Sequence, residues 1–148
     1  MSSSPQPFVR TAQPDDADQV WPLARDFATS FAPRREAFDA TWRCLHDVPD
    51  ALVAVAECDH RVVGYLLAHR HLTFLANGPV AWVEEVMVAE THRRTGVGRA
   101  LMHHAEHWAR EGGAAYLALA SRRAGPFYTA LGYEDSAVFF KKPLTDPP

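Results

Sequence analysis

Apolar residues along the chain switch between the close spacing of strands and the three-to-four spacing of helices. Phe8 to Ala12 reads as a short first strand, and Pro14-Asp15-Asp16 as a helix start with acidic residues in the first turn. Val20, Trp21, Leu23, Ala24, Phe27 and Phe31 recur near helical spacing. Pro22 is expected to kink this helix or mark a second start, and Pro33 to end the segment. A second helix is expected over Arg35 to His46, where Phe38, Trp42 and Leu45 share a face. Leu52 to Ala56 and Val62 to His69 read as two strands joined by the hairpin Glu57 to Arg61. Gly64 inside the second of them points to a bulge or a close approach. After a turn at Ala76 to Pro79, Ala81 to Val88 reads as a strand that should be central. Gly98 to Glu111 is a helix with Leu101, Met102, Ala105 and Trp108 on its apolar face, stopped by Gly112-Gly113. Tyr116 to Ala120 is the next strand. Pro126 opens a short helix ending near Leu131-Gly132, and Ala137 to Phe140 reads as a last strand.

The order β-α-α-β-β-β-α-β-α-β predicts a mixed α/β fold, its sheet covered by helices on both faces. At 148 residues the expectation is a single domain, with residues 1–6 and 143–148 as flexible tails. A net charge of −3 gives no reason to expect nucleic acid as a partner. No apolar run approaches membrane-spanning length, and the N-terminus lacks the charged and apolar regions of a signal peptide. Cys44 and Cys58 do not suggest a disulfide framework, so a reduced, cytoplasmic setting is expected.

The stretch Val86-Met87-Val88-Ala89-Glu90-Thr91-His92-Arg93-Arg94-Thr95-Gly96-Val97-Gly98-Arg99 carries the chemistry. A strand ends, an arginine-bearing glycine turn follows, and an amphipathic helix begins. The first amides of such a helix have no intrahelical partner, and the helix dipole favours an anion beside them. Arg93, Arg94 and Arg99 add positive charge. The turn is neither a G-x-x-x-x-G-K-S/T phosphate loop nor a G-x-G-x-x-G dinucleotide turn.

Arg93-Arg94-Thr95-Gly96-Val97-Gly98 resembles the R/Q-x-x-G-x-G/A cofactor-binding motif of the GNAT superfamily of N-acetyltransferases. Ser121-Arg122-Arg123-Ala124-Gly125-Pro126-Phe127-Tyr128-Thr129-Ala130-Leu131-Gly132-Tyr133 is similar to that family's N-x-x-A-x-x-F-Y-x-x-x-G-F/Y segment. The resemblance implies a largely antiparallel sheet that splays between the strands Ala81 to Val88 and Tyr116 to Ala120, with acetyl-CoA in the gap. It implies that Arg93, Arg94, Thr95, Gly96, Val97, Gly98 and Arg99 hold the pyrophosphate. Val86, Met87 and Val88 would line the pantetheine arm, Val86 and Val88 through backbone groups. Ser121 stands where the family often has a cofactor-contacting Asn; Arg122 and Arg123 suit the cofactor's 3′-phosphate, and a plain surface position suits them better.

Acetyl transfer to an amine needs a base, and the resemblance implies a glutamate on the central strand. Glu84 and Glu85 are the candidates, on opposite faces by strict alternation. Motif position points to Glu84 first, and a salt bridge or a solvated strand start also suits either acid. Tyr128 matches the tyrosine that protonates the departing thiolate, with Phe127 the better core candidate. The expected reaction is direct transfer from acetyl-CoA to a primary amine in a ternary complex. A non-catalytic acyl-CoA sensor on the same fold is the alternative. The acceptor is a small molecule or a peptide, met by Phe31 to Arg35, the second helix and the loop His71 to Pro79. Trp42, His71 and Phe74 suit either its pocket or the core. His103 and His107 lie one helical turn apart with no third ligand, so no metal is expected. Monomer and homodimer both remain open.

Overall fold

The computed structural model describes residues 6–122 and 124–145. Five strands form one sheet in chain order: β1 (Phe8–Thr11), β2 (Ala51–Cys58), β3 (Arg61–Thr73), β4 (Gly78–Val88) and β5 (Leu117–Leu119). Successive pairs are antiparallel except β4 with β5, which is parallel. That one parallel pairing requires a crossover, supplied by α3 (Val97–Glu111). The helices α1 (Ala17–Phe27) and α2 (Arg35–Leu45) lie between β1 and β2 in sequence, and α4 (Gly125–Ala130) follows β5.

Each face of the sheet has its own core. Leu52, Ala54, Leu66, Ala68 and Val83 pack against Val97, Leu101, Met102 and Ala105 of α3. On the other face Val53, Val55 and Tyr65 pack against Val20 of α1 and Trp42 of α2, with Leu67 and Met87 alongside. Alternate residues of β2 therefore serve opposite cores, the period-two pattern of a strand buried on both faces.

Several expected boundaries shift. The first helix begins after a 3-10 turn at Pro14–Asp16, is one element across Pro22, and ends at Phe27 rather than Phe31. The strand expected at Val62 to His69 runs to Thr73, and its partner starts at Gly78, so the turn expected at Ala76 to Pro79 moves back to Phe74 to Asn77. Gly64 satisfies both of its readings. The β2–β3 register shifts beside it, and a Cβ there would lie 3.1 Å from Met87 O and from Val97 Cγ1. The expected last strand, Ala137 to Phe140, is not formed. Its residues join no ladder in the sheet, and Val138, Phe139 and Phe140 are exposed. A strand is held by a hydrogen-bonded neighbour, which apolar alternation alone does not provide. Of the expected tails, residues 1–5 and 146–148 lie outside the described residues.

Candidate active site

The site begins with an interruption of β4. Leu67 pairs with Glu85 and Ala68 with Val83, which leaves Glu84 without a partner across the ladder. This extra residue is a β-bulge, and it breaks the alternation of side chains along the strand. Val83 packs on the α3 side, and Val86 and Val88 pack there as well. Glu85 faces the α1–α2 side with Leu67 and Tyr65, while Glu84 is exposed.

The bulge also redirects the backbone. Before it, β4 is paired to β5 through Ala81, Trp82 and Val83. Beyond Val83 and Leu119 that ladder ends, although β4 continues to Val88. Ala89 N–H donates to Val63 O at 2.7 Å, toward β3. By alternation the backbone groups of Val86 and Val88 therefore face the edge that β5 has left. At that edge Arg93 Nε donates to Val88 O at 3.3 Å.

The glycine turn lies just beyond. Arg94 (φ 63°) and Gly96 (φ 91°) both adopt left-handed backbone, which brings the chain round sharply into α3. Gly96 is the N-cap and supplies no side chain to the helix start. Ala100 N–H is bonded to Gly96 O at 3.0 Å, so the preceding amides of Val97, Gly98 and Arg99 have no intrahelical acceptor. Arg93, Arg94, Thr95 and Arg99 are exposed around them. The Thr95 hydroxyl donates back to His92 O and holds the turn closed. A Cβ at Gly98 would come within 3.2 Å of Phe127 Cζ, so a glycine is what lets α4 pack onto the start of α3.

On α4, Tyr128 is half-buried against the same core cluster as Val86 and Val88. Its ring meets Phe127 and Tyr133 edge-on, at centroid distances of 5.0 and 6.0 Å. Burial raises its pKa, so the phenol keeps its proton at neutral pH and is a donor. Ser121 Oγ accepts Ala124 N–H at 3.0 Å and shapes the entry to α4.

The other face holds a cavity of about 80 Å³, lined by Val20, Ala24, Phe38, Thr41, Trp42, Leu45, Val53, Tyr65, Leu67 and Glu85. Within it the buried Tyr65 hydroxyl donates to Glu85 Oε1 at 2.7 Å. Burial, then the neighbouring carboxylate, raises the Tyr65 pKa far above the phenol range, so this proton stays on the tyrosine. Trp42 Nε1–H donates to Pro14 O at 3.1 Å, which fixes the indole as a wall.

An open strand edge, a helix start with free amides and a protonated tyrosine on one side, with a carboxylate in a cavity on the other, have known counterparts. The family model described as the acetyltransferase (GNAT) family matches residues 17–133. The chain belongs to the GNAT family. It is 29% identical to the aminoglycoside N(6′)-acetyltransferase type 1 of Stenotrophomonas maltophilia, over 93% of this chain and 94% of that protein. Its fold is similar to that of glucosamine-6-phosphate N-acetyltransferase from Arabidopsis thaliana, with a TM-score of 0.84 at 16% identity, covering 95% of this chain and 99% of that one. It is also similar to that of an aminoglycoside 6′-N-acetyltransferase from Acinetobacter haemolyticus, with a TM-score of 0.73 at 20% identity, covering 93% and 99%.

Membership of this acetyltransferase family agrees with the expected acetyl-CoA-dependent transfer to an amine and with the mixed α/β fold. Acetyl-CoA fits the residues present, since the exposed arginines and free amides at the start of α3 suit its phosphates. Among the described residues no group of three or more His, Cys, Asp or Glu side chains is placed to hold a metal. His103 and His107 are both exposed, and His107 Nε2 lies 3.0 Å from Glu111 Oε1. Among the described residues no helix is long and apolar enough to cross a membrane.

Phe127 is not in the core, where it was expected. Phe127 is exposed while Tyr128 packs on the core, because the α4 face that meets the sheet carries Tyr128. Trp42 lines the cavity, but His71 and Phe74 do not. They sit far along the β3–β4 hairpin, where Phe74 is fully exposed. Arg122 is exposed, and Arg123 lies outside the described residues. Tyr65 was not singled out from sequence. Its one signal is a hydroxyl-bearing ring within the apolar run Val62 to Ala68, and the carboxylate it serves is set by the register of β3 against β4.

Proposed function

We propose that this chain acetylates a primary amine, with Glu85 as the base and Tyr128 as the acid. The observation that carries the reading is the Tyr65–Glu85 pair in a cavity beside the point where β4 and β5 part. The phosphates of acetyl-CoA lie against Arg93 to Arg99, and its pantetheine arm against the open backbone of Val86 and Val88 near Met87. Glu85 takes one proton from the acceptor ammonium, directly or through water. The freed amine forms a C–N bond at the thioester carbon, and the C–S bond breaks. Tyr128 protonates the thiolate, and the second nitrogen proton restores the phenol as the amide forms. A base and an acid held on opposite faces of the sheet suit a reaction that crosses the gap in it.

A sensor that only binds acyl-CoA needs neither a cavity-facing carboxylate nor a protonated tyrosine, so the enzyme reading is preferred. The aminoglycoside acetyltransferases among its relatives support an amine acceptor. The chain is taken as one domain, because both helical layers share one sheet, and as a protein of the cytoplasm without a nucleic-acid partner. Release of free thiol from acetyl-CoA over a panel of amines tests the reading. Tyr128→Phe should lower kcat by about 10²-fold or more while the acetyl-CoA KM changes little. Unchanged turnover would remove Tyr128 from the mechanism.

A further inference from the structure

We propose that the acceptor carries its primary amine on a short apolar arm, seated between α1, α2 and the sheet. The inference rests on Glu85 as the base and adds the chemistry of the group attached to the nitrogen. The cavity wall is built from Ala24, Phe38, Trp42, Val53 and Leu67, which offer no hydrogen bond into it. Two lining residues besides Tyr65 carry a polar hydrogen: Trp42 already donates its own to Pro14 O, and the exposed Thr41 brings one hydroxyl to the rim. The Tyr65 hydroxyl hydrogen is used on Glu85 Oε1. Among the described residues no side chain donates to Glu85 Oε2, and that oxygen is left for one ammonium.

One carboxylate satisfies one charge. A second ammonium or a hydroxyl pressed against Ala24, Phe38, Val53 or Leu67, away from Thr41, would lose its water without gaining a partner. A methylene placed there gains affinity, by about fourfold each. The volume of about 80 Å³ is roughly half that of an apolar cavity that takes up benzene. It suits an arm of roughly three to five carbons, not a hydroxylated sugar ring. The acceptor class is therefore a short alkylamine or a branched equivalent, which sets this chain apart from the aminoglycoside acetyltransferases it is similar to.

The test is thiol release from acetyl-CoA with the full chain and n-alkylamines from ethylamine to octylamine, run beside tobramycin. The expected result is kcat/KM rising by about fourfold per carbon to a maximum near butylamine or pentylamine and then falling, with tobramycin at least tenfold below the maximum. Ala24→Leu and Thr41→Leu, which narrow the cavity from different helices, should move the maximum to a shorter amine. The rise in melting temperature with acetyl-CoA reports that each variant is folded. A flat series, a maximum unmoved in both folded variants, or tobramycin as the better acceptor would overturn the inference. Turnover of tobramycin that depends on Glu85, with none of the alkylamines, would leave the base assignment standing and remove only the apolar arm. No thiol release with any amine would remove both.

Discussion

Asp16 is buried to 5% exposure, and its carboxylate is held by three donors. Arg10 Nη1 and Nη2 lie 2.7 and 2.9 Å from its oxygens, and Gln13 N–H donates at 2.7 Å. Arg10 also reaches Glu57 at 2.9 Å, so β1, β2 and the turn before α1 are tied at one guanidinium. The Arg10 hydrogen bonds hold the Asp16 carboxyl below the usual carboxylate range. The folded pKa is lower than the unfolded one, so Asp16 adds stability above about pH 4 and loses it as pH falls through the folded value. Asp16→Asn should cost about 2–3 kcal/mol in urea unfolding at pH 7, and the gap should narrow as pH falls below about 4. A gap unchanged with pH would mean that the charge does not contribute.

Two elements owe their form to single backbone positions. The β2–β3 hairpin turns through Asp59 (φ 52°) and His60 (φ 64°), both left-handed and neither a glycine. His60→Gly should relieve this and stabilise the fold by about 1 kcal/mol, read as a higher urea midpoint at an unchanged slope. Gly64→Ala should do the reverse. Its Cβ would press on the Met87 carbonyl oxygen, which cannot swing aside, and a cost of about 1–3 kcal/mol follows. The bulge at Glu84 is the element-scale feature with the largest consequence. The glycine turn and the start of α3 were legible in the sequence because glycines and helix caps announce themselves locally. Which of Glu84 and Glu85 enters the cavity was not, because strict alternation holds only in an unbroken ladder. The one-residue offset appears only when β3 and β4 are paired.

At the scale of the molecule, one sheet separates two cores, and the site lies where it stops being continuous. The strand count shows what a single chain's pattern leaves out. Tyr116 to Ala120 shortens to Leu117–Leu119, and Ala137 to Phe140 stays out of the sheet although its residues suit a strand. Alternation reports which residues prefer a strand, while a neighbour on the edge of β5 is a matter of the whole fold. Acetyl-CoA should raise the melting temperature more than ATP does, since the turn carries no phosphate-loop lysine and, on the proposed reading, the open edge of β4 would take the pantetheine arm. Equal shifts would reduce the site to a general anion-binding turn.

The central claim is that the bulge makes Glu85, and not Glu84, the base. Acetyl transfer to the best amine at pH 7, compared between Glu85→Gln and Glu84→Gln, measures it directly. The expected result is a fall in kcat of about 10²-fold or more for Glu85→Gln with acetyl-CoA binding retained, and a change within about twofold for the exposed Glu84→Gln. Loss of turnover in Glu84→Gln with Glu85→Gln near the parent rate would contradict it.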